Sequence, residues 1–225
     1  MSQDYIQKVT VRGSNPLCDD ILMYDNFEGR LNWSGSGTGT DWVVAQSSGG
    51  NEMMDGQYGL KLQTKATTPA IGDEVIASRS MFLTPHKLLT FSGFFRFMSS
   101  TLVRRVILRL YCYTGAIGSE VLVAYSPINQ RLEYMEYSGA WWPVIGGSIN
   151  LHPDAWHRLS FVYDIINHYV VAVQCDSLVL LNLSAEPYFS IDTSAARVVP
   201  GVQLIADTAA QATSYLDHLY LFEQR

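Results

Sequence analysis

The chain has 225 residues, 48% hydrophobic and 12% aromatic, and a formal net charge of −6 at pH 7. That length suits one large β domain, and the composition supplies a packed core and argues against disorder. With no long basic run, binding of nucleic acid by phosphate neutralisation has no support.

The opening MSQDYIQKV lacks an apolar run, so no signal peptide is expected. No window approaches the roughly 20 apolar residues of a membrane span. The expected product is soluble and made in the cytoplasm. Residues 1–20 read as an extended arm, with Tyr5, Ile6, Val9 and Val11 as its apolar positions and a turn at Asn15-Pro16. Residues 21–225 read as one domain. SGSGTGT, residues 34–40, lies between Trp33 and Trp42 and reads as a flexible or tightly turning loop. It lacks the Lys-Ser/Thr ending and following helix of a phosphate loop.

Strand-like runs follow at short spacing: 42–46, 59–64, 75–82, 88–98, 104–113, 121–125 and 131–137. Turn residues separate them, including Asp55-Gly56, Thr84-Pro85, Ser126-Pro127 and Gly146-Gly147. Residues 156–163 and 169–175 flank a short polar connection, 164–168, and read as a β-hairpin. Alternation places His157, Leu159, Phe161 and Tyr163 on one face of the first run. Further strands are expected at 178–183, 202–206 and 215–223. No stretch keeps a helical period over three turns; residues 207–214 could form one helical turn at most. Such a pattern predicts an all-β, two-sheet antiparallel sandwich.

Four stretches together resemble the concanavalin A-like (lectin/glucanase, laminin-G-like) jelly-roll superfamily. They are Asp25-Asn26-Phe27-Glu28-Gly29 with Trp33; Tyr58-Gly59-Leu60-Lys61-Leu62; Trp156 to Asp164; and Tyr215-Leu216-Asp217-His218-Leu219-Tyr220-Leu221. The resemblance implies a jelly roll whose first and last strands are adjacent. It also implies a structural Ca²⁺ near those strands, with Asp217 as a ligand and Asp25 or Glu28 nearby; an Asp engaged in a turn hydrogen bond is the other reading. No other cofactor is expected.

Glycosidases of the superfamily carry a Glu-x-Asp-x-x-Glu strand. The nearest match, Glu133-Tyr134-Met135-Glu136, lacks the Asp, and residues three apart on a strand point to opposite faces. Hydrolysis needs two carboxyls flanking one bond, about 5–9.5 Å apart, so both glutamates are expected to be surface charges. The five histidines have no metal-ligand spacing, and no serine sits in a G-x-S-x-G elbow. Cys18, Cys112 and Cys175 read as buried free thiols rather than a disulfide framework. Arg96, Arg104, Arg105 and Arg109 form the densest basic group, with Arg105, Ile107 and Arg109 on one strand face; a solvated or salt-bridged face is expected there rather than a polyanion site.

Tyr134, Tyr137, Trp141 and Trp142 form an aromatic patch before Pro143. It suits stacking on a sugar, a protein contact, or burial at a sheet edge. The expectation is a non-enzymatic structural or interaction protein that assembles with other protein chains, as a homo-oligomer or on a capsid shell, such as a phage capsid decoration (cement) protein at the virion surface. The arm would add a strand to a neighbour or pack on its own domain. The alternative is a lectin-like carbohydrate-binding module with a glycan partner.

Overall fold

A computed structural model of the chain describes residues 20–82, 88–115, 117–136, 138–144, 148–185, 188–191 and 195–224. Cys18, Tyr137 and residues 1–19 of the arm, with Tyr5, Ile6, Val9 and Val11, lie outside them, and Asp20 opens the first strand. Sixteen strands form among the described residues. The first six are β1 (Asp20–Asp25), β2 (Ser34–Gly37), β3 (Val43–Ser47), β4 (Gly59–Gln63), β5 (Glu74–Ser78) and β6 (Leu88–Phe97). Then come β7 (Val103–Tyr113), β8 (Ile117–Ser126), β9 (Arg131–Met135), β10 (Trp141–Pro143) and β11 (His157–Asp164). The last are β12 (Tyr169–Cys175), β13 (Leu178–Ala185), β14 (Tyr188–Ile191), β15 (Arg197–Ala206) and β16 (Thr213–Gln224).

These strands make two antiparallel sheets. Sheet A runs β13-β12-β11-β6-β16-β4-β3, with β1 also on β16; sheet B runs β10-β9-β8-β7-β15-β5-β2, with β14 on β8. The long β16 pairs with β1 along its second half, so the first and last described strands are neighbours. The expected hairpin forms between β11 and β12, with Leu159 opposite Cys175 and Phe161 opposite Val173. Its turn is closed by Asp164, which accepts the N–H groups of Ile166 and Asn167, each at 2.9 Å. His168 takes the left-handed position there, φ 56°, which explains why no Asn-Gly pair is needed.

Period-2 alternation dictates the core. Val106, Leu108, Leu110 and Cys112 of β7, Leu159, Phe161 and Tyr163 of β11, and Val202 and Leu204 of β15 all face the space between the sheets and are buried. Each fully buried side chain of this kind stabilises by roughly 1.5–3 kcal/mol. Cys112 and Cys175 are free and buried, as the alternation predicts. Burial pushes the Cys175 thiol up to about 12, so both behave as small apolar residues.

The opening motif is a structural staple. Asp25 Oδ1 accepts the Phe27 N–H at 2.9 Å and Oδ2 accepts the Trp33 indole N–H at 2.8 Å. That bond holds Phe27 at φ 59° while its ring enters the core beside Trp33.

Residues 34–40 depart from the loop expectation. Ser34–Gly37 is a strand, paired with β5 from Ser34 opposite Ser78 to Gly37 opposite Val75. Its glycines are there for the neighbouring indole: a Cβ on Gly35 would lie 2.5 Å from the Trp42 ring, and one on Gly37 would lie 2.6 Å from the Glu74 carbonyl oxygen. Low strand propensity is overridden by pairing and by the ring packed against it. Residues 207–212 form no helical turn; the chain bends there before entering β16. Among the described residues no helix is long and apolar enough to cross a membrane.

Candidate functional site

The alternation that buries one face of sheet B turns an unusual set of residues outward. From β5 come Glu74, Ile76 and Ser78; from β15, Arg197, Val199, Gly201, Gln203 and Ile205; from β7, Arg105, Ile107, Arg109, Tyr111 and Tyr113. Many of these outward residues are themselves shielded: Gln203 is 6% exposed, Arg109 9% and Glu133, on β9, 0%. Buried polar groups of this kind need partners, and here they partner one another.

Two networks cross the face. In the first, Arg109 Nη2 donates to Glu120 Oε1 at 2.8 Å and to the Tyr111 hydroxyl, while Nη1 donates to Gln203 Oε1 at 3.2 Å. Gln203 Nε2 in turn donates to Glu74 Oε2 at 2.6 Å. This line ties β8, β7, β15 and β5 together. Arg109 Nε is buried and has no partner. Burial, reinforced by Glu120, pushes the Tyr111 phenol up to about 12, so it stays a neutral donor and acceptor. In the second, Glu133 accepts Arg105 Nε and Arg131 Nε, both at 2.7 Å, and Asn129 Nδ2 at 3.0 Å. Burial alone would raise its carboxyl; the two guanidiniums and the Asn amide outweigh that and hold it below the usual range. Glu133 is therefore not a surface charge, because strand pairing carries it under two arginines. Glu136 lies past the end of β9 and accepts the Ser138 hydroxyl.

Beside the first network lies a cavity of about 160 Å³ lined by Ser36, Ile76, Ser78, Arg109, Tyr111, Val199 and Gly201. Its room comes from small residues on three neighbouring strands. Gly201 leaves space for the arginine stem, since a Cβ there would lie 2.8 Å from Arg109 Cγ and force it to shift.

The aromatic patch is divided by the pleat. Trp141 lies on the outward face, its ring 4.5 Å from the Arg105 guanidinium carbon, over a small cluster of Ile107, Leu122 and Ala124. Its neighbour Trp142 points to the opposite side and is half exposed. Tyr134, which pairs with Trp142, packs against the main core. Tyr137 lies outside the described residues. Trp141 alone joins the outward face, with three strands between it and β15.

The carboxylates proposed for a cation are occupied by N–H donors. Asp217 is fully buried; its Oδ2 accepts Met54 and Asp55 N–H at 3.0 and 3.3 Å, and its Oδ1 accepts His218 N–H at 2.7 Å. His218 Nδ1 lies 3.0 Å from the same oxygen. Burial pushes His218 down, but Asp217, with Asp55 and Glu28, pulls it above its ordinary value. Asp25 is committed to Phe27 and Trp33, and Glu28 Oε1 accepts Gln57 and Tyr58 N–H at 2.6 and 2.9 Å. Ca²⁺ takes six to eight oxygens turned toward it. These oxygens face donors instead, and among the described residues no three acidic, His or Cys side chains are grouped to hold a metal. The donor set does not fit a cation.

No protein-family model and no curated protein sequence matches this chain. Solved structures do match it in shape. The cellulose-induced protein Cip1 superposes with a TM-score of 0.61 at 13% identity, over 88% of this chain and 96% of that one. Peanut lectin gives 0.54 at 12% identity, over 91% and 97%. A conserved carbohydrate esterase from the Shiga toxin-encoding bacteriophage phi24B gives 0.53 at 13% identity, over 92% and 100%. The chain shares the two-sheet jelly-roll fold of these structures.

In this jelly roll one further pair could be taken for acyl-transfer chemistry. Ser119 Oγ and the Tyr163 hydroxyl lie 3.3 and 3.2 Å from His168 Nδ1. Ser119 and Tyr163 both face the interior between the sheets, at 3% and 0% exposure, out of a substrate's reach. The residues that sequence reading missed are Gln203, Tyr111, Glu120 and Glu74. Their signal is present in part: in VRRVILRLYCY, alternation alone puts Arg105, Arg109, Tyr111 and Tyr113 on one face. Gln203, which completes the site from β15, is 94 residues from Arg109 in sequence.

Proposed function

We propose that this jelly roll is a non-enzymatic carbohydrate-binding module that reads its sugar on the outward face of sheet B. The observation that carries the reading is the cavity beside Arg109 and Tyr111. Sugar recognition asks for fixed donors and acceptors plus one aromatic surface, held rigid before the ligand arrives. Here Arg109, Gln203 and Glu120 fix one another's geometry, Tyr111 supplies ring and hydroxyl, and Ser36, Ser78 and Gly201 leave room for the edge of a sugar. The face is a sheet, so its geometry is stiffer than a loop's.

The folds named for a lectin and for carbohydrate chemistry are consistent with this reading, as likeness of shape. Hydrolysis has no support, since Glu133 is sealed under arginines and Ser119 is buried between the sheets. Assembly with other chains rests on residues 1–19, which lie outside the described residues.

A glycan array followed by calorimetry tests the proposal. Tyr111→Ala and Gln203→Ala are expected to lower affinity about tenfold or more, as loss of a buried polar partner does, with the melting transition still cooperative. Gly201→Ala is expected to do the same by pushing the Arg109 stem into the cavity. Unchanged binding in all three variants, or no glycan bound at millimolar concentration, overturns the proposal.

A further inference from the structure

The same outward face carries a second pattern, along β7 and the start of β15. Tyr111 and Tyr113 stack with ring centroids 6.3 Å apart and planes 13° from parallel. Arg109 lies over Tyr111 at 4.8 Å, and Arg197 lies over Tyr113 at 4.4 Å. Strand pairing sets this row, with Arg197 opposite Tyr113 and Gly201 opposite Arg109. The result is two guanidiniums flanking a pair of rings.

The two arginines are unequally satisfied. Arg109 is balanced by Glu120. Arg197 makes no ion pair and no side-chain hydrogen bond among the described residues, and its Nε is buried without a partner, as is that of Arg109. A guanidinium lying over a ring, part-shielded from water and lacking a counter-charge, is a standing invitation to an anion: its planar fork matches a carboxylate or sulfate in two parallel bonds. Tyr113 and Tyr111 beside it would border the sugar ring. The overall charge of −6 opposes the approach of an anion, so any preference must come from these local groups.

Resting on the carbohydrate reading above, we infer that the ligand is an acidic sugar, carrying a carboxylate or a sulfate ester, whose anionic group pairs with Arg197 while its ring lies along Tyr113 and Tyr111 toward the cavity.

Calorimetry of the full chain with defined oligosaccharides tests this. The probes are oligogalacturonate, its methyl ester, a sulfated galactan and a neutral galactan. The free acid is expected to bind about tenfold tighter than its methyl ester, the effect of one charge-assisted bidentate contact. That advantage should shrink from 20 to about 300 mM salt, as screening requires. Arg197→Gln should abolish the advantage, and Arg197→Lys should retain only part of it, since it keeps the charge and loses the fork. The stronger of the uronate and sulfate ligands identifies the anion, and a clear preference for either supports the inference. Equal binding of acid, ester and neutral galactan overturns it while leaving the carbohydrate reading intact, as does an acid preference that survives in Arg197→Gln. If no oligosaccharide binds, both readings fall.

Discussion

The outward face of sheet B and the bulge within β16 each hold a carboxylate with no exposure at all, Glu133 and Asp217, and they keep it by different means. Asp217 is served chiefly by backbone N–H groups from residues 54, 55 and 218. Those donors belong to the fold, so the carboxylate acts as a clamp between β16 and the segment before β4. Glu133 is served by side chains, two arginines and an asparagine. Arg131 and Asn129 serve it from its own strand and turn, while Arg105 reaches across from β7 and carries Trp141 on its guanidinium. A carboxylate paired with backbone serves architecture. One paired with side chains organises a surface, which is the kind of region where a ligand can be read. The difference also explains why a cation suits neither place: one is saturated by N–H donors and the other by positive charge.

The largest effect that would sharpen this contrast is expected from Glu133→Gln. It leaves Arg105 buried without a counter-charge, and removing one partner of a buried ion pair costs about 3–5 kcal/mol. Replacing both partners, Glu133→Leu with Arg105→Met, should recover most of that loss in a denaturant melt, because apolar pairs of similar volume are often neutral or better. A double variant no more stable than Glu133→Gln would break the comparison.

Asp217→Asn should cost less, about 1–3 kcal/mol, since the amide oxygen still accepts from backbone while its NH₂ group faces donors. A loss larger than that of Glu133→Gln would show the clamp to be the more demanding site.

A third, half-exposed carboxylate gives a smaller and pH-dependent effect. His157 Nδ1 lies 2.9 Å from Asp176 Oδ2, and its Nε2 lies 2.9 Å from the His152 carbonyl oxygen. Both ring nitrogens face acceptors, so the imidazolium suits the site. Burial lowers His157, but Asp176 and the carbonyl outweigh it and raise it above its ordinary value. Burial raises Asp176, but His157 and the Arg158 N–H outweigh it and lower it. A raised His contributes fully below its unfolded value and loses that contribution as pH rises through the folded one; a lowered Asp contributes above its unfolded value and loses it as pH falls through the folded one. The pair therefore helps most between about pH 4 and 6.5. With Asp176 42% exposed, its worth is at most about 1 kcal/mol. His157→Gln should flatten the fall in melting temperature between pH 6 and 8; an unchanged slope would remove His157 from the account.

The smallest effect expected is none. A ligand confined to the native state at one hundred times its Kd would add about 2.7 kcal/mol, so millimolar Ca²⁺ against EDTA should leave the melting temperature unchanged. A rise of several degrees would mean that Asp217, Asp25 or Glu28 gives up its N–H partners to a cation.

Sequence by itself determined the local elements and the architecture they imply. Hydrophobic alternation located β11, β12, β6, β7 and β16 to within one or two residues, because a strand buried on one face must write its period into the chain. The family resemblance carried by the opening and closing motifs implied that the first and last strands are adjacent. What the tertiary structure alone decided is whatever depends on partners distant in sequence. Ser34–Gly37 is a strand only because β5 and the Trp42 ring lie beside it. Glu133 is paired and covered because Arg105 reaches it from β7, and neighbouring Trp141 and Trp142 part company because the pleat sends them to opposite faces. The row Arg109, Tyr111, Tyr113 is legible within β7, but Gln203 and Arg197 join it from β15 through antiparallel pairing. Register is a property of two strands and the core between them, so one strand's sequence cannot name its neighbour.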